Sequence, residues 1–350
     1  MKLLILTQKV DINDDLLGFM HDWIAEFSRH CDSVTVICLW RGEHHLPANV
    51  KVLSLGKERG RSKIKYLFNF YWLIWHERRH YDAVWVHMNP EYVVLGGLLW
   101  RLWGKKIGLW YAHGHVSFIL RIAVRLAHVI FTSTASGFRL PSSRIKIIGQ
   151  GIDAEKFKPP VVKSRGEKFR VITVGRISPA KDLETLVAAA EILAKENRAF
   201  QIEIIGGAGL PEQETYLAKI KGLVEEKGLG GLINFRGPLP NKDILSYLQA
   251  ADLFVNMSQT GSLDKAILEA MAGGLPIVSC NQAIVDELAN DPRFIFESRN
   301  TSQLAQKIAR LMDLYNNQPA EFASWGRELR EVVIKRHGLA AFVKKILGQF

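Results

Sequence analysis

Three cysteines in 350 residues, Cys31, Cys38 and Cys280, are too few and too scattered for a disulfide framework or a zinc-binding spacing. A reducing compartment suits such a chain. No apolar run reaches the ~20 residues that a membrane-spanning helix needs. The longest candidate, Tyr92 to Trp103, is broken by Arg101 and followed by Lys105-Lys106. Met1-Lys2 leads only into Leu3-Leu4-Ile5-Leu6, too short for a secretory signal core. The expectation is a cytoplasmic protein, free or resting on the inner face of a membrane. Disorder is excluded by composition, with 48% hydrophobic and 23% charged residues.

Acidic residues are sparse in the first half. Residues 1–150 hold 20 Lys and Arg against 11 Asp and Glu, so most of the net charge of +11 lies there. Anionic lipid, a phosphorylated acceptor or nucleic acid would each fit that excess. No RNA-binding motif accompanies it, so no nucleic-acid partner is expected. The basic stretch Lys57 to Lys65 runs into the aromatic-rich Tyr66–Trp75. Two readings fit: a membrane-surface helix, or a core helix with a charged entry loop.

What is present is alternation. Strand-like runs at Leu3–Thr7, Val34–Leu39, Ala83–His87, Ile107–Tyr111 and Val129–Ser133 alternate with helical patterns at Leu16–Arg29, Ile64–Arg78, Tyr92–Trp103 and Phe118–Leu126. The polar, proline-containing Lys156–Lys168 predicts a linker. Alternation then restarts. Strands are predicted at Arg170–Val174, Gln201–Ile205, Leu232–Phe235, Leu253–Asn256, Pro276–Ser279 and Phe294–Phe296. Helices are predicted at Ala180–Glu196, Glu212–Lys227, Lys242–Gln249, Leu263–Ala272 and Ser302–Leu314. Repeated βα units predict an α/β fold with parallel sheets. Two such domains in tandem predict a ligand cleft.

Three segments carry candidate chemistry. In Val174-Gly175-Arg176-Ile177-Ser178-Pro179-Ala180-Lys181, Gly175 permits a tight turn after a strand and Pro179 suits a first helical turn. Arg176 and Lys181 then stand at the strand's C-terminal end, where open α/β sheets bind ligands. A planar fork and a mobile point charge together suit a diphosphate, although a surface turn with two solvated cations reads the same way. In the second segment, Gly261 and Ser262 form a loop leading through Leu263, Asp264 and Lys265 into a helix. Free amides and the helix dipole there favour an anion. Glu269, further along, can accept two hydrogen bonds from a ribose diol or be an ordinary solvated residue. The third segment, His113-Gly114-His115, follows a strand, and either histidine could touch a transferred sugar or be structural. Gly18 follows the first strand and could let backbone approach a ligand.

Together these residues resemble the GT-B-fold retaining glycosyltransferases of glycosyltransferase family 4. The resemblance runs from Ile148-Gly149-Gln150-Gly151-Ile152-Asp153 and Phe157-Lys158-Pro159 through Val174-Gly175-Arg176, Lys181 and Ile205-Gly206-Gly207-Ala208-Gly209. It continues through Phe235-Arg236-Gly237 and Ala250–Val255 to Leu268-Glu269-Ala270-Met271-Ala272-Gly273-Gly274-Leu275-Pro276-Ile277-Val278. It implies two Rossmann-like domains facing across a cleft, at 1–160 for the acceptor and 161–336 for the nucleotide-sugar. Residues 337–350 would form a helix returning to the first domain. It also implies that Arg176 and Lys181 bind the diphosphate, that Glu269 holds the ribose and that His113 lies near the donor sugar. Gly18, Gly175, Gly207, Gly261, Ser262, Leu263, Asp264 and Lys265 complete the donor site. Family members usually carry a second Glu eight residues before the ribose Glu, and here that position is Gly261.

The implied reaction transfers a hexose with retention, from a UDP- or GDP-linked sugar to a glycan or lipid-linked acceptor. It requires no cofactor, and no Asp-x-Asp flanks the phosphate segments. The alternatives are a sugar-nucleotide epimerase, a phosphorylase, or a binding protein whose site has degenerated at Gly261.

Overall fold

The structure is a computed structural model that describes residues 1–60, 62–161, 166–259 and 262–350. It divides into two compact units. The first comprises Met1–Asp153, Pro240–Lys242 and His337–Phe350; the second comprises Ala154–Leu239 and Asp243–Arg336.

The first unit contains strands β1 (Lys2–Val10), β2 (Ser33–Arg41), β3 (Val50–Ser54), β4 (Ala83–His87), β5 (Lys106–Trp110), β6 (Val129–Thr132) and β7 (Ile145–Ile147). Between them run helices α1 (Phe19–His30), α2 (Lys63–His76), α3 (Pro90–Leu102) and α4 (Phe118–Leu126). The strands form one parallel sheet in the order β3-β2-β1-β4-β5-β6-β7. Period-two geometry sorts the apolar run of β1: Leu3 and Ile5 join the core on the side of α1, while Leu4 and Leu6 join the core under α2, α3 and α4. Burial on both faces explains why the central strands read as continuous apolar runs.

The second unit contains β8 (Phe169–Val174), β9 (Phe200–Ile205), β10 (Ile233–Gly237), β11 (Leu253–Asn256) and β12 (Ile277–Ser279). Its helices are α5 (Leu183–Lys195), α6 (Pro211–Glu226), α7 (Asn241–Ala250), α8 (Lys265–Ala272), α9 (Gln282–Glu287), α10 (Thr301–Asn317) and α11 (Pro319–His337). These strands are also all parallel, in the order β10-β9-β8-β11-β12. Among the described residues, no helix is long and apolar enough to cross a membrane. The three cysteines are free thiols.

Several sequence expectations need correction. The short edge strands β3 and β7 were not predicted, because half-exposed edge segments such as Val50-Lys51-Val52 need little apolar content. Phe294–Phe296 is no strand: Phe294 and Phe296 are buried, but the segment makes only an isolated bridge between Ile295 and Ser279. Helix α11 was missed although Phe322, Trp325, Leu329 and Val333 bury one face of it. The predicted linker begins inside the second unit, where Phe157 is buried and Arg330 donates to the Ala154 carbonyl at 2.9 Å. Of that stretch, residues 162–165 lie outside the described residues.

The last helix, α12 (Leu339–Leu347), belongs to the first unit. Phe342 and Trp23 meet with ring centroids 4.4 Å apart, and Trp110 lies 5.0 Å from Phe342. The Trp23 indole donates to the Gly151 carbonyl at 2.7 Å. Gly151 has φ +64°, and a Cβ there would sit 2.8 Å from the Phe342 ring, so only glycine lets the helix approach. Truncating a fully buried phenylalanine leaves a cavity. Phe342→Ala should therefore destabilise the first unit by about 3–5 kcal/mol, read by urea denaturation with tryptophan fluorescence. An unchanged midpoint would mean that α12 contributes nothing to this core.

Candidate functional site

In the second unit, the strand order reverses between β8 and β11. Their connections leave in opposite directions and open a crevice beyond the strands' C-terminal ends, the usual ligand position in an open parallel sheet. A small hollow lies there, lined by Gly175, Arg176, Lys181, Asn256 and Met257 among others.

Backbone packing shapes this hollow. Gly175 follows β8 with φ +152°, and its amide donates to the Ile205 carbonyl at 2.9 Å. A Cβ on Gly206 would fall 1.9 Å from the Gly175 carbonyl oxygen, so the two loops touch through bare backbone. Gly206, not singled out in the sequence, is the residue this approach requires. Its neighbour Gly207 accepts from the Ile177 amide at 2.9 Å and packs beside Pro238.

The loop after Gly175 does not enter α5 directly, as the predicted start at Ala180 required. Pro179–Lys181 forms a 3-10 turn, Asp182 then takes a left-handed conformation (φ 47°), and α5 starts at Leu183. The buried Asp182 carboxylate accepts from the Thr185 hydroxyl at 2.8 Å and the Gln259 amide at 3.1 Å. The Gln259 backbone amide donates to the Ala180 carbonyl at 3.0 Å. These bonds fasten the turn to the loop after β11 and fix where Lys181 emerges.

Lys181 and Asp264 are brought together. The Lys181 Nζ lies 2.6 Å from Asp264 Oδ2 and 3.5 Å from Ser258 Oγ. Asn256 Nδ2 donates to the same Asp264 oxygen at 3.0 Å. Asp264 occupies the N-cap position of α8 without a side-chain capping bond. Its carboxylate is committed to Lys181 and Asn256 instead. Asn256, Ser258 and Asp182 were not identified from the sequence: Ser258 lies 77 positions from Lys181, Asp182 lies 77 from Gln259, and no spacing marks Asn256 as the partner of Asp264. Arg176 stands exposed on the rim of the same hollow.

Helix α8 begins at Lys265 rather than at the predicted Leu263, which is buried ahead of it. Ser262 precedes it, and its carbonyl accepts from Asn281 Nδ2 at 2.9 Å. Gly261 lies outside the described residues. Glu269 is 4% exposed among Ile267, Leu268, Ala270 and Met271, so the reading of a solvated helix glutamate is set aside.

Gly18 and His113 belong to the first unit. Gly18 precedes α1, and a Cβ there would lie 2.5 Å from the Asp14 carbonyl oxygen and 3.1 Å from Asn241. Its missing side chain thus serves local packing. His113 sits in the loop after β5, and its Nδ1 accepts from the His115 amide at 3.0 Å. Tyr111 ties the same loop by donating from its hydroxyl to the His115 carbonyl at 2.9 Å. His113 is largely exposed, and partial desolvation by the loop around it lowers its pKa below the ordinary value, with the neighbouring His115 and Arg139 pushing it the same way.

The model of the family "Glycosyl transferases group 1" matches residues 154–329, half of the chain. The chain belongs to that family. The matched span contains Arg176, Lys181, Asp264 and Glu269, so the crevice lies inside the family's common portion. Amylovoran biosynthesis glycosyltransferase AmsK of Erwinia amylovora is 29% identical over 154 residues, covering 42% of this chain and 36% of the relative. A GDP-mannose-dependent alpha-(1-6)-phosphatidylinositol monomannoside mannosyltransferase of Mycobacterium tuberculosis is 23% identical over 260 residues, 65% of this chain and 66% of the relative. The matches thus span from about a third to two thirds of such relatives. Anabaena HepE, solved with UDP, superposes with a TM-score of 0.77 at 18% identity over 99% of both chains. The architecture of this family member is the GT-B one.

The direction of the His113 shift has a measurable consequence. A lowered value means that the imidazole is neutral at pH 7 and gains its proton only further into acid. In an NMR titration, His113 should have its midpoint below that of an unperturbed histidine, and Arg139→Gln should raise it. A midpoint at or above the ordinary value would contradict the loop geometry.

Proposed function

We propose that this family member is a retaining, metal-independent glycosyltransferase of family 4, acting on a UDP- or GDP-linked hexose and a glycan or lipid-linked acceptor. The observation that carries the reading is that Arg176 and Lys181 line one hollow at the β8/β11 crevice and Lys181 meets Asp264 at the start of α8, the helix that carries the buried Glu269. Two cations suit the diphosphate, and a buried carboxylate suits the ribose diol. The GDP-mannose dependence of the mannosyltransferase and the UDP bound to HepE support a nucleotide-linked donor.

In this reaction, the bond between the anomeric carbon and the diphosphate oxygen breaks as the acceptor oxygen bonds to the same carbon on the same face. The acceptor hydroxyl's proton passes to the departing phosphate oxygen. Arg176 and Lys181 stabilise the negative charge that accumulates there, and such prepared electrostatics is usually the largest catalytic contribution. Asp264 has a defined part. It holds Lys181 at 2.6 Å until a diphosphate competes for the ammonium group. His113, neutral at pH 7, can donate a hydrogen bond through Nε2, because Nδ1 already accepts from His115.

Arg176→Ala and Lys181→Ala should each lower turnover by roughly 10²-fold or more, as loss of one transition-state donor does. The assay pairs UDP- and GDP-sugars with glycan and lipid-linked acceptors. Folded variants that keep the parent rate would remove the diphosphate assignment. Binding of UDP or GDP with no turnover on any acceptor would leave a nucleotide-sugar binding protein.

Glu269→Gln keeps the shape of the side chain and removes its charge. Charge-assisted hydrogen bonds contribute ~1.5–3 kcal/mol, so nucleotide affinity should fall at least ~10-fold in calorimetry with UDP and GDP. Unchanged affinity would make Glu269 a packing residue.

A further inference from the structure

Helix α2 carries two apolar stripes. Phe70, Leu73 and Ile74 are buried against the sheet. The other stripe is Ile64, Leu67, Phe68, Tyr71, Trp72 and Trp75, at helical spacings i, i+3, i+4, i+7, i+8 and i+11, and all six are exposed. Phe68 is 73% and Trp72 61% exposed. A helix apolar on opposite sides is ordinarily buried on both, whereas this one meets solvent along a whole side. One face of this stretch is therefore core, and the other meets solvent.

The exposed stripe does not stand alone. Helices α2, α3 and α4 cover the same side of the first sheet, so their outward residues share one surface. The Tyr71 hydroxyl bonds to the Leu95 carbonyl at 3.2 Å, and Arg101 Nε to the Leu126 carbonyl at 2.8 Å, linking the three helices side by side. Leu98 and Leu102 on α3 and Phe118 on α4 are 70%, 80% and 75% exposed. Contiguous exposed apolar area of this kind marks an interaction surface.

Charge selects the partner. Helices α2 and α4 contain no acidic residue, α3 contains only Glu91, and none follows until Asp153. Lys63, Lys65, Arg101, Arg121 and Arg125 are exposed on the same helices. Arg78 packs over the Trp75 ring at 4.0 Å. A second copy would set this basic face against an identical one, which like charges disfavour. An anionic lipid surface complements both properties: acyl chains accept the rings and phosphates accept the cations.

We infer that the outward face of α2, α3 and α4 is a docking surface for an anionic lipid leaflet, entered by Phe68, Trp72 and Leu102. This deepens the reading of a lipid-linked acceptor, and binding rather than turnover tests it. The full chain is sedimented with vesicles of phosphatidylcholine alone or enriched in phosphatidylglycerol. Brominated lipid reports, by tryptophan quenching, whether rings enter the bilayer. Binding should require phosphatidylglycerol, weaken with salt by screening, and come with quenching. The pair Phe68→Ser and Trp72→Ser should reduce partition by ~10-fold or more, from the apolar area withdrawn. The same variant should keep its circular dichroism and its UDP or GDP affinity, so failure here is separable from failure of the sugar-transfer reading. Three results would each overturn the inference: protein left in the supernatant at low salt, binding without quenching, or a dimer by light scattering that the double variant splits.

Discussion

Every strand pairing in the two sheets is parallel, and parallel strands cannot be joined by tight hairpins. Each strand must return through a crossover, so all C-terminal ends emerge along one edge of their sheet. In the second unit the order reverses at β8 and β11, and the connections on either side diverge. The crevice is a consequence of that reversal. The residues lining it come from segments about 80 positions apart, joined only because their strands are neighbours.

Within the crevice, position is enforced by a few contacts that leave little freedom. The bare-backbone approach of Gly206 to Gly175 sets the spacing between the first two loops. Asp182, in a left-handed conformation, anchors the turn that carries Lys181. Asp264 forgoes capping α8 to hold the ammonium group. Each is a local sacrifice of backbone or capping stability, of the kind that accumulates where a protein places chemistry.

The first unit shows the complementary case, in which stability and exposure compete on one helix. Phe70, Leu73 and Ile74 anchor α2 to the sheet, while Phe68, Trp72 and Trp75 are exposed. On the opposite side of the same sheet, α12 returns to seal the core through Trp23, Trp110 and Phe342. One face of the sheet is thus closed by the chain's own last helix. The other ends in helices whose outer surface remains uncovered.

The alternation of apolar runs and amphipathic stretches determined the α/β class, the central strands and the basic character of the first half. These are properties of local composition and period, and they survive without any tertiary knowledge. Arg176, Lys181 and Asp264 were singled out because each lies beside a strand end or helix start, and Glu269 because it is a carboxylate among apolar neighbours. Edge strands β3 and β7 were not, since a strand with one free side needs few apolar residues. The tertiary structure alone decided that Lys181 faces Asp264 and Ser258, that Gly206 approaches the Gly175 backbone, and that the apolar residues of α2 divide between core and solvent. Those facts depend on which strands become neighbours and which helix covers which face, and pairing across some 80 residues leaves no periodic trace in the chain.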